Sequence, residues 1–167
     1  MIGDPNPDYN LGLSLTASYK GFDISMTMNG VFGNQIMKSY RSYVDYTRQN
    51  YTSDIFGRWH GEGTSNKYPI LSNQRPDNMR ASDFFVENGS YLRLRTLQLG
   101  YTFPREWMQR IYLNKLRVYV NAQNLFTLSA FNGWTPEVGG SPLRSGVDDG
   151  ALYPIPAAVT FGLNVTF

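Results

Sequence analysis

Antiparallel, up-and-down and all-β is the fold class this sequence predicts, and three observations predict it. Four segments alternate apolar and polar residues with the period of two that belongs to strands. The connections between strands run short, long, moderate and long, which is how an up-and-down sheet distributes its turns over its two ends. The composition is rich in aromatic residues and poor in charge. The 3 Trp, 12 Tyr and 10 Phe among 167 residues stand against only 17% charged residues, where soluble domains carry roughly 25%. A surface so poor in charge suits strands that meet lipid better than strands that meet water, and it turns the prediction toward a transmembrane β-barrel.

The first strand is predicted over Tyr9 to Tyr19, with Tyr9, Leu11, Leu13, Leu15, Ala17 and Tyr19 on one face and Asn10, Gly12, Ser14, Thr16 and Ser18 on the other. Eleven residues at about 3.3 Å, tilted by roughly 40°, rise about 28 Å, close to the height of a hydrocarbon layer. Tyr9 and Tyr19 bracket the aliphatic positions as an interfacial aromatic girdle does. Lys20 and Gly21 make a two-residue turn into a second strand, with Phe22, Ile24, Met26, Met28 and Phe32 against Asp23, Ser25, Thr27 and Asn29. The two strands form a tight hairpin. Alternation alone does not distinguish a lipid-facing barrel from a soluble sandwich.

From about residue 34 to 80 no period is sustained, and the stretch is read as one long loop. A third strand region spans Ser82 to Phe103, interrupted at Glu87, Asn88 and Gly89. Leu92 and Leu94 share one phase, whereas Leu97, Leu99, Tyr101 and Phe103 share the other. A one-residue slip of this kind implies a β-bulge, or a change of environment, near Arg95 and Thr96. Pro104 ends the strand, and residues 104–115 have room for a short helical turn at most. A fourth strand is predicted from Leu116 to Leu128, then a second long loop rich in Gly and Pro, then a fifth strand with Val159, Phe161, Leu163, Val165 and Phe167 in one phase. Five strands do not close a barrel, for which about eight are the practical minimum. The chain is therefore read as a fragment.

Composition excludes several function classes. With no Cys and only His60, there is no disulfide framework, no thiolate site and no histidine cluster for zinc. A formal charge of +2, with 15 Lys and Arg scattered along the chain, gives no basic stripe for nucleic acid. No apolar run approaches the 18 residues or so of a transmembrane helix, and the first residues lack the basic and apolar regions of a signal peptide. The expectation is a cytosolic chain or a part of something longer.

Four ordered motifs carry a resemblance. GDPNPDY (Gly3 to Tyr9), FVENGSYLRLRTLQLGYTFP (Phe85 to Pro104), LRVYVNAQNLFTLS (Leu116 to Ser129) and GALYPIPAAVTFGLNVTF (Gly150 to Phe167) together resemble the C-terminal end of the SusC/RagA family. These are large TonB-linked outer-membrane transporters of Bacteroidetes. The resemblance covers nearly the whole chain. It implies a 22-stranded barrel with an N-terminal plug, reached by TonB, and a SusD-like lipoprotein that lids the extracellular mouth and helps to capture glycans or peptides. Residues 1–167 then form roughly the last five strands of the barrel, with two long extracellular loops and none of the plug. Thr135, Pro136 and Glu137 stand where the family commonly has Asp-Pro-Glu, and Ala157 lies where an Arg is frequent. Both departures concern loop contacts, not the strand pattern.

The candidate residues follow from that frame. Val159, Phe161, Leu163, Val165 and Phe167 are expected to form the terminal strand that outer-membrane assembly machinery recognises by strand pairing. Trp59, Tyr68, Phe131 and Trp134 lie in the long loops, where aromatic faces contact sugar rings or the lid, or simply pack. Tyr40, Tyr43, Tyr46 and Tyr51 are further lid candidates. Asp23, Asn29, Arg93 and Arg95 are expected to face the lumen, since a midplane arginine in lipid costs about 2 to 4 kcal/mol. The phase slip leaves Arg93 and Arg95 open. Asp148, Asp149 and Gly150 are read as turn chemistry and not as a calcium site. A Glu62/Glu137 glycosidase dyad has no support in the sequence, and His60 is read as an exposed loop residue. No catalytic residue, metal or cofactor is expected. The competing readings are a soluble secreted β-sandwich that binds carbohydrate, and a siderophore-type TonB-dependent receptor without a lid.

Overall fold

Wherever the sequence alternates, it folds as strand. The computed structural model describes residues 2–40, 52–72, 76–140 and 144–167. Its strands are β1 (Tyr9–Tyr19), β2 (Phe22–Phe32), β3 (Gln35–Lys38), β4 (Val86–Asn88), β5 (Tyr91–Thr102), β6 (Lys115–Gln123), β7 (Thr127–Ser129), β8 (Val147–Asp148) and β9 (Ala158–Thr166). One short helix, α1 (Arg105–Gln109), follows Pro104. The main sheet has the order β1-β2-β5-β6-β9, each pair antiparallel and each joined to the next along the chain. This is the meander expected from the connection lengths. Lys20 (φ 46°) and Gly21 (φ 87°) both take the left-handed conformation, the geometry of a two-residue turn whose twist matches the strands it joins.

Register assigns every side chain of the main sheet to a face. Leu11, Leu13, Leu15 and Ala17 oppose Gly30, Met28, Met26 and Ile24. Leu97, Leu99 and Tyr101 extend that row onto β5, Ala122, Val120 and Val118 onto β6, and Val159, Phe161 and Leu163 onto β9. The other face carries Ser14, Thr16, Asp23, Asn29, Gln98, Arg117, Asn121, Thr160 and Asn164. No second layer covers the apolar face among the described residues, and Leu13, Leu15, Phe161 and Leu163 all stand exposed. A sandwich would bury that row against a second sheet.

The predicted phase slip is a bulge. The register between β2 and β5 runs Thr27 to Thr96 and then Met28 to Leu94, leaving Arg95 as the additional residue. Leu92 and Leu94 therefore share the apolar face with Leu97 and Leu99 although their sequence phases differ. The same insertion corrects the predicted fourth strand. β6 stops at Gln123, Asn124 turns with φ 51°, and pairing to β5 resumes at β7 (Thr127 opposite Arg93). The Asn124 N–H donates to the Arg95 carbonyl at 3.0 Å and the Leu94 N–H to the Phe126 carbonyl at 3.1 Å, so the break faces the bulge.

The long loops are more structured than their sequences suggest. β3 pairs with β4 antiparallel and with β8 in parallel, making a three-stranded sheet at the end of the main sheet where the long connections gather. Short 3-10 turns lie at Ser53–Gly57, Pro76–Met79 and Asp83–Phe85, the last inside the region predicted as strand. Most of the buried apolar side chains, Ile36, Phe85, Tyr91, Leu94 and Phe131, belong to this end.

Candidate functional site

The polar face of the main sheet carries charge at both ends. Near the short turns, Arg117 on β6 reaches across β5 to Asp23 on β2, with Nε to Oδ1 at 3.0 Å and Nη2 to Oδ2 at 2.5 Å. The bidentate fit is that of a guanidinium on a carboxylate. The residue it crosses is Gly100, where a Cβ would stand 2.5 Å from Arg117 Nη2 and 2.6 Å from the Asp23 carboxylate. A glycine here leaves the space that the pair occupies.

Near the long loops the bulge sets the chemistry. Because Arg95 is the inserted residue, its side chain joins that of Arg93 on the polar face, and Glu137 of the second long loop meets both. Arg93 Nη1 lies 3.0 Å from Glu137 Oε2 and Arg95 Nη2 lies 2.7 Å from Oε1. The Tyr91 hydroxyl donates to Oε1 at 3.1 Å. Arg93 is nearly fully buried, at 3% exposure. Its Nε donates to the Thr127 hydroxyl at 2.7 Å, and its guanidinium lies 5.6 Å from the centre of the Tyr91 ring. Arg95 Nε donates to Asn29 Oδ1 at 2.9 Å. The facing left open by the sequence is resolved toward the polar side for both arginines. Glu137 is held by both arginines and Tyr91, while Glu62 is exposed.

A second charged group sits in the three-stranded sheet. Lys38, buried, pairs with Glu87 at 3.0 Å, donates to the Asn132 carbonyl, and lies 5.1 Å from the centre of the Phe131 ring. The Asn132 N–H donates to Glu87 Oε2 at 3.0 Å. Asp148 Oδ1 accepts the Gly150 N–H at 2.9 Å and Asp149 Oδ1 accepts the Ala151 N–H at 3.1 Å. These are the side-chain turns expected there. Among the described residues no group of three or more acidic, His or Cys side chains is placed to hold a metal.

The four predicted loop aromatics do not form one site. Trp59 and Tyr68 come together: the Trp59 N–H donates to the Tyr68 carbonyl at 3.0 Å, and both line a hollow of about 580 Å³ with Lys67, Ile70, Asp77 and Phe84. Trp59 is 40% exposed and Trp134 63% exposed, whereas Phe131 is only 7% exposed. Phe131 takes the packing alternative, held beneath Lys38. Tyr43, Tyr46 and Tyr51 lie outside the described residues. His60 is exposed, its ring Nδ1 3.1 Å from the Arg58 carbonyl. The sequence reading missed the Glu137 and Lys38 ion-pair groups. The usable signal was two arginines flanking a phase slip, since charges near a strand core need partners.

The chain is similar over its whole length to known receptors. It is 31% identical over 174 residues to TonB-dependent receptor P3 of Formosa agariphila, covering all of this chain and 17% of that protein. It is 32% identical over 167 residues to TonB-dependent receptor SusC of Bacteroides thetaiotaomicron, covering 98% of this chain and 15% of SusC. The chain thus spans about a sixth of the length of the curated relatives it matches. Among solved structures, the RagAB peptide importer in the "open-open" state superposes with a TM-score of 0.76 at 26% identity, over 97% of this chain and 17% of the importer chain. No protein-family model matches the sequence.

Proposed function

From a chain that is homologous along its whole length to TonB-dependent receptors, SusC among them, we propose that residues 1–167 form the C-terminal wall of the β-barrel of an outer-membrane importer. The apolar face meets lipid and the polar face lines the lumen. The Lys20–Gly21 turn lies on the periplasmic side, and the long loops are extracellular. The full-length protein takes up oligosaccharides or peptides together with a SusD-like lipoprotein, driven by TonB through an N-terminal region outside these residues. The chain contributes wall, lumen and loops, and no catalytic step. β9, whose second edge has no partner among the described strands, is the strand for assembly machinery to engage through Val159, Phe161, Leu163, Val165 and Phe167.

One observation carries this reading. A single antiparallel sheet leaves an apolar face bare while placing Asp23, Arg93, Arg95 and Arg117 together on the opposite face. In water that arrangement forfeits the hydrophobic gain of folding, and in a membrane it is the favourable one. Trp59 and Trp134 are the exposed aromatics proposed to touch lid or cargo, because an aromatic face with a polar N–H suits a wet interface. Replacing both by Ala in the full-length protein is expected to weaken uptake or lipoprotein binding by about 2 kcal/mol for each true hot spot, at unchanged surface level. Growth on an oligosaccharide or peptide as sole source, paired with a lipoprotein pull-down, separates the roles. Uptake lost with the lid retained assigns cargo contact. Both surviving the double substitution overturns the contact role.

A further inference from the structure

Residues 131–137 are gripped from two sides. At one end Lys38 holds the Asn132 carbonyl and the Phe131 ring, and Glu87 holds the Asn132 N–H. At the other end the Glu137 carboxylate is held by Arg93, Arg95 and Tyr91. The Thr135 hydroxyl, also buried, accepts from the Glu137 N–H at 3.2 Å and from Arg93 Nη2 at 3.5 Å. Between the grips stands Trp134, the large apolar side chain of this segment that the described residues leave uncovered. A loop held at both flanks that nevertheless leaves a tryptophan bare is suited to display that side chain.

We propose that Glu137, through Arg93 and Arg95, is a positioning residue that locks this loop to the barrel wall so that Trp134 is presented rigidly at the mouth for contact with the cargo. The inference rests on the reading of the long loops as extracellular and of Trp134 as a contact. Rigidity matters because a side chain already fixed in its bound position loses less entropy on contact. The bulge strengthens the lock, since without the inserted Arg95 only Arg93 and Tyr91 would reach the carboxylate. Removing the Glu137 charge frees the loop end and leaves the buried Arg93 without its counter-ion.

The test uses the full-length protein in outer-membrane preparations, with a nitroxide attached at Trp134→Cys and barrel assembly followed by heat-modifiability. The parent label is expected to be immobilised, Glu137→Gln to release it, and Glu137→Asp to restore most of the restraint. Asp23→Asn, on the same face but at the far end, is expected to leave the spectrum unchanged. In protein that retains Trp134, Glu137→Gln is expected to raise severalfold the half-saturating concentration of a fluorescein-labelled oligosaccharide or oligopeptide mixture, with the maximal rate unchanged and no further rise when combined with Trp134→Ala. If Glu137→Gln does not assemble, Arg95→Gln applies the same test while leaving Arg93 paired. A label already mobile in the parent, unmoved by Glu137→Gln, or equally freed by Asp23→Asn overturns the proposal. So does an uptake defect in Trp134→Ala that Glu137→Gln does not share. A released label with normal uptake in both variants overturns the contact reading and the positioning role together.

Discussion

The five-stranded sheet leaves Leu13, Leu15, Phe161 and Leu163 bare and keeps its ion pairs on the other face, whereas the three-stranded sheet of the loops buries Ile36 and neighbouring Phe85 and encloses Lys38 and Asp148 with them. The two regions are built from one chain and touch at the long-loop end, yet they sort polar and apolar groups in opposite ways. The first fits a surrounding of hydrocarbon with water inside. The second fits water outside and a dry interior. On the proposed membrane reading, burial in this molecule reports which solvent each face meets, and an exposed leucine carries opposite meanings in the two regions.

The sharpest way to break the comparison is in the loop sheet. Lys38→Ala removes the buried ammonium that joins Glu87, the Asn132 carbonyl and the Phe131 ring, and the expected cost is about 3 to 5 kcal/mol, confined to the loops. Protease nicking of the loops on intact cells should rise while the barrel stays heat-modifiable. Collapse of the barrel as well would show that the two regions fold as one unit. In the main sheet, Leu13→Arg or Leu163→Arg places a charge in the proposed hydrocarbon at about 2 to 4 kcal/mol, whereas Thr16→Arg or Asn164→Arg places it in the proposed lumen. Assembled barrel should fall only for the first pair, and equal tolerance of both would sink the membrane reading. The smallest effect is expected at Gly100→Ala, whose Cβ displaces the Arg117–Asp23 pair at about 1 to 3 kcal/mol. A lowered urea midpoint of the purified barrel, shared by Asp23→Asn without further loss in the double variant, would place the glycine and the pair in one unit.

Much of the main sheet was legible in the sequence because strand period and turn chemistry are local. The β1–β2 hairpin follows from alternation on both sides of Lys20–Gly21, and the bulge follows from a change of phase that no regular strand tolerates. Its consequence was not legible. The predicted strand Leu116 to Leu128 is broken opposite Arg95, and nothing within that segment announces the break except the turn-tolerant Asn124. β3 was read as loop because four residues carry too little period to register, and its partners β4 and β8 lie far along the chain. Of the loop aromatics, Trp59 and Tyr68 do share a hollow. Phe131 is buried by a lysine that sequence distance hides from it.

By itself the sequence determined where the five long strands of the main sheet run, the order in which they pair and, outside the phase slip, which face of each is apolar, since strand period and turn chemistry depend on neighbours within a few positions. Only the tertiary structure decided that Arg93, Arg95 and Glu137 form one cluster, that Arg117 crosses a glycine to reach Asp23, and that the loops carry a sheet of their own. Charges find partners through space and across strands, and the separation of those partners along the chain leaves no period for a sequence to show.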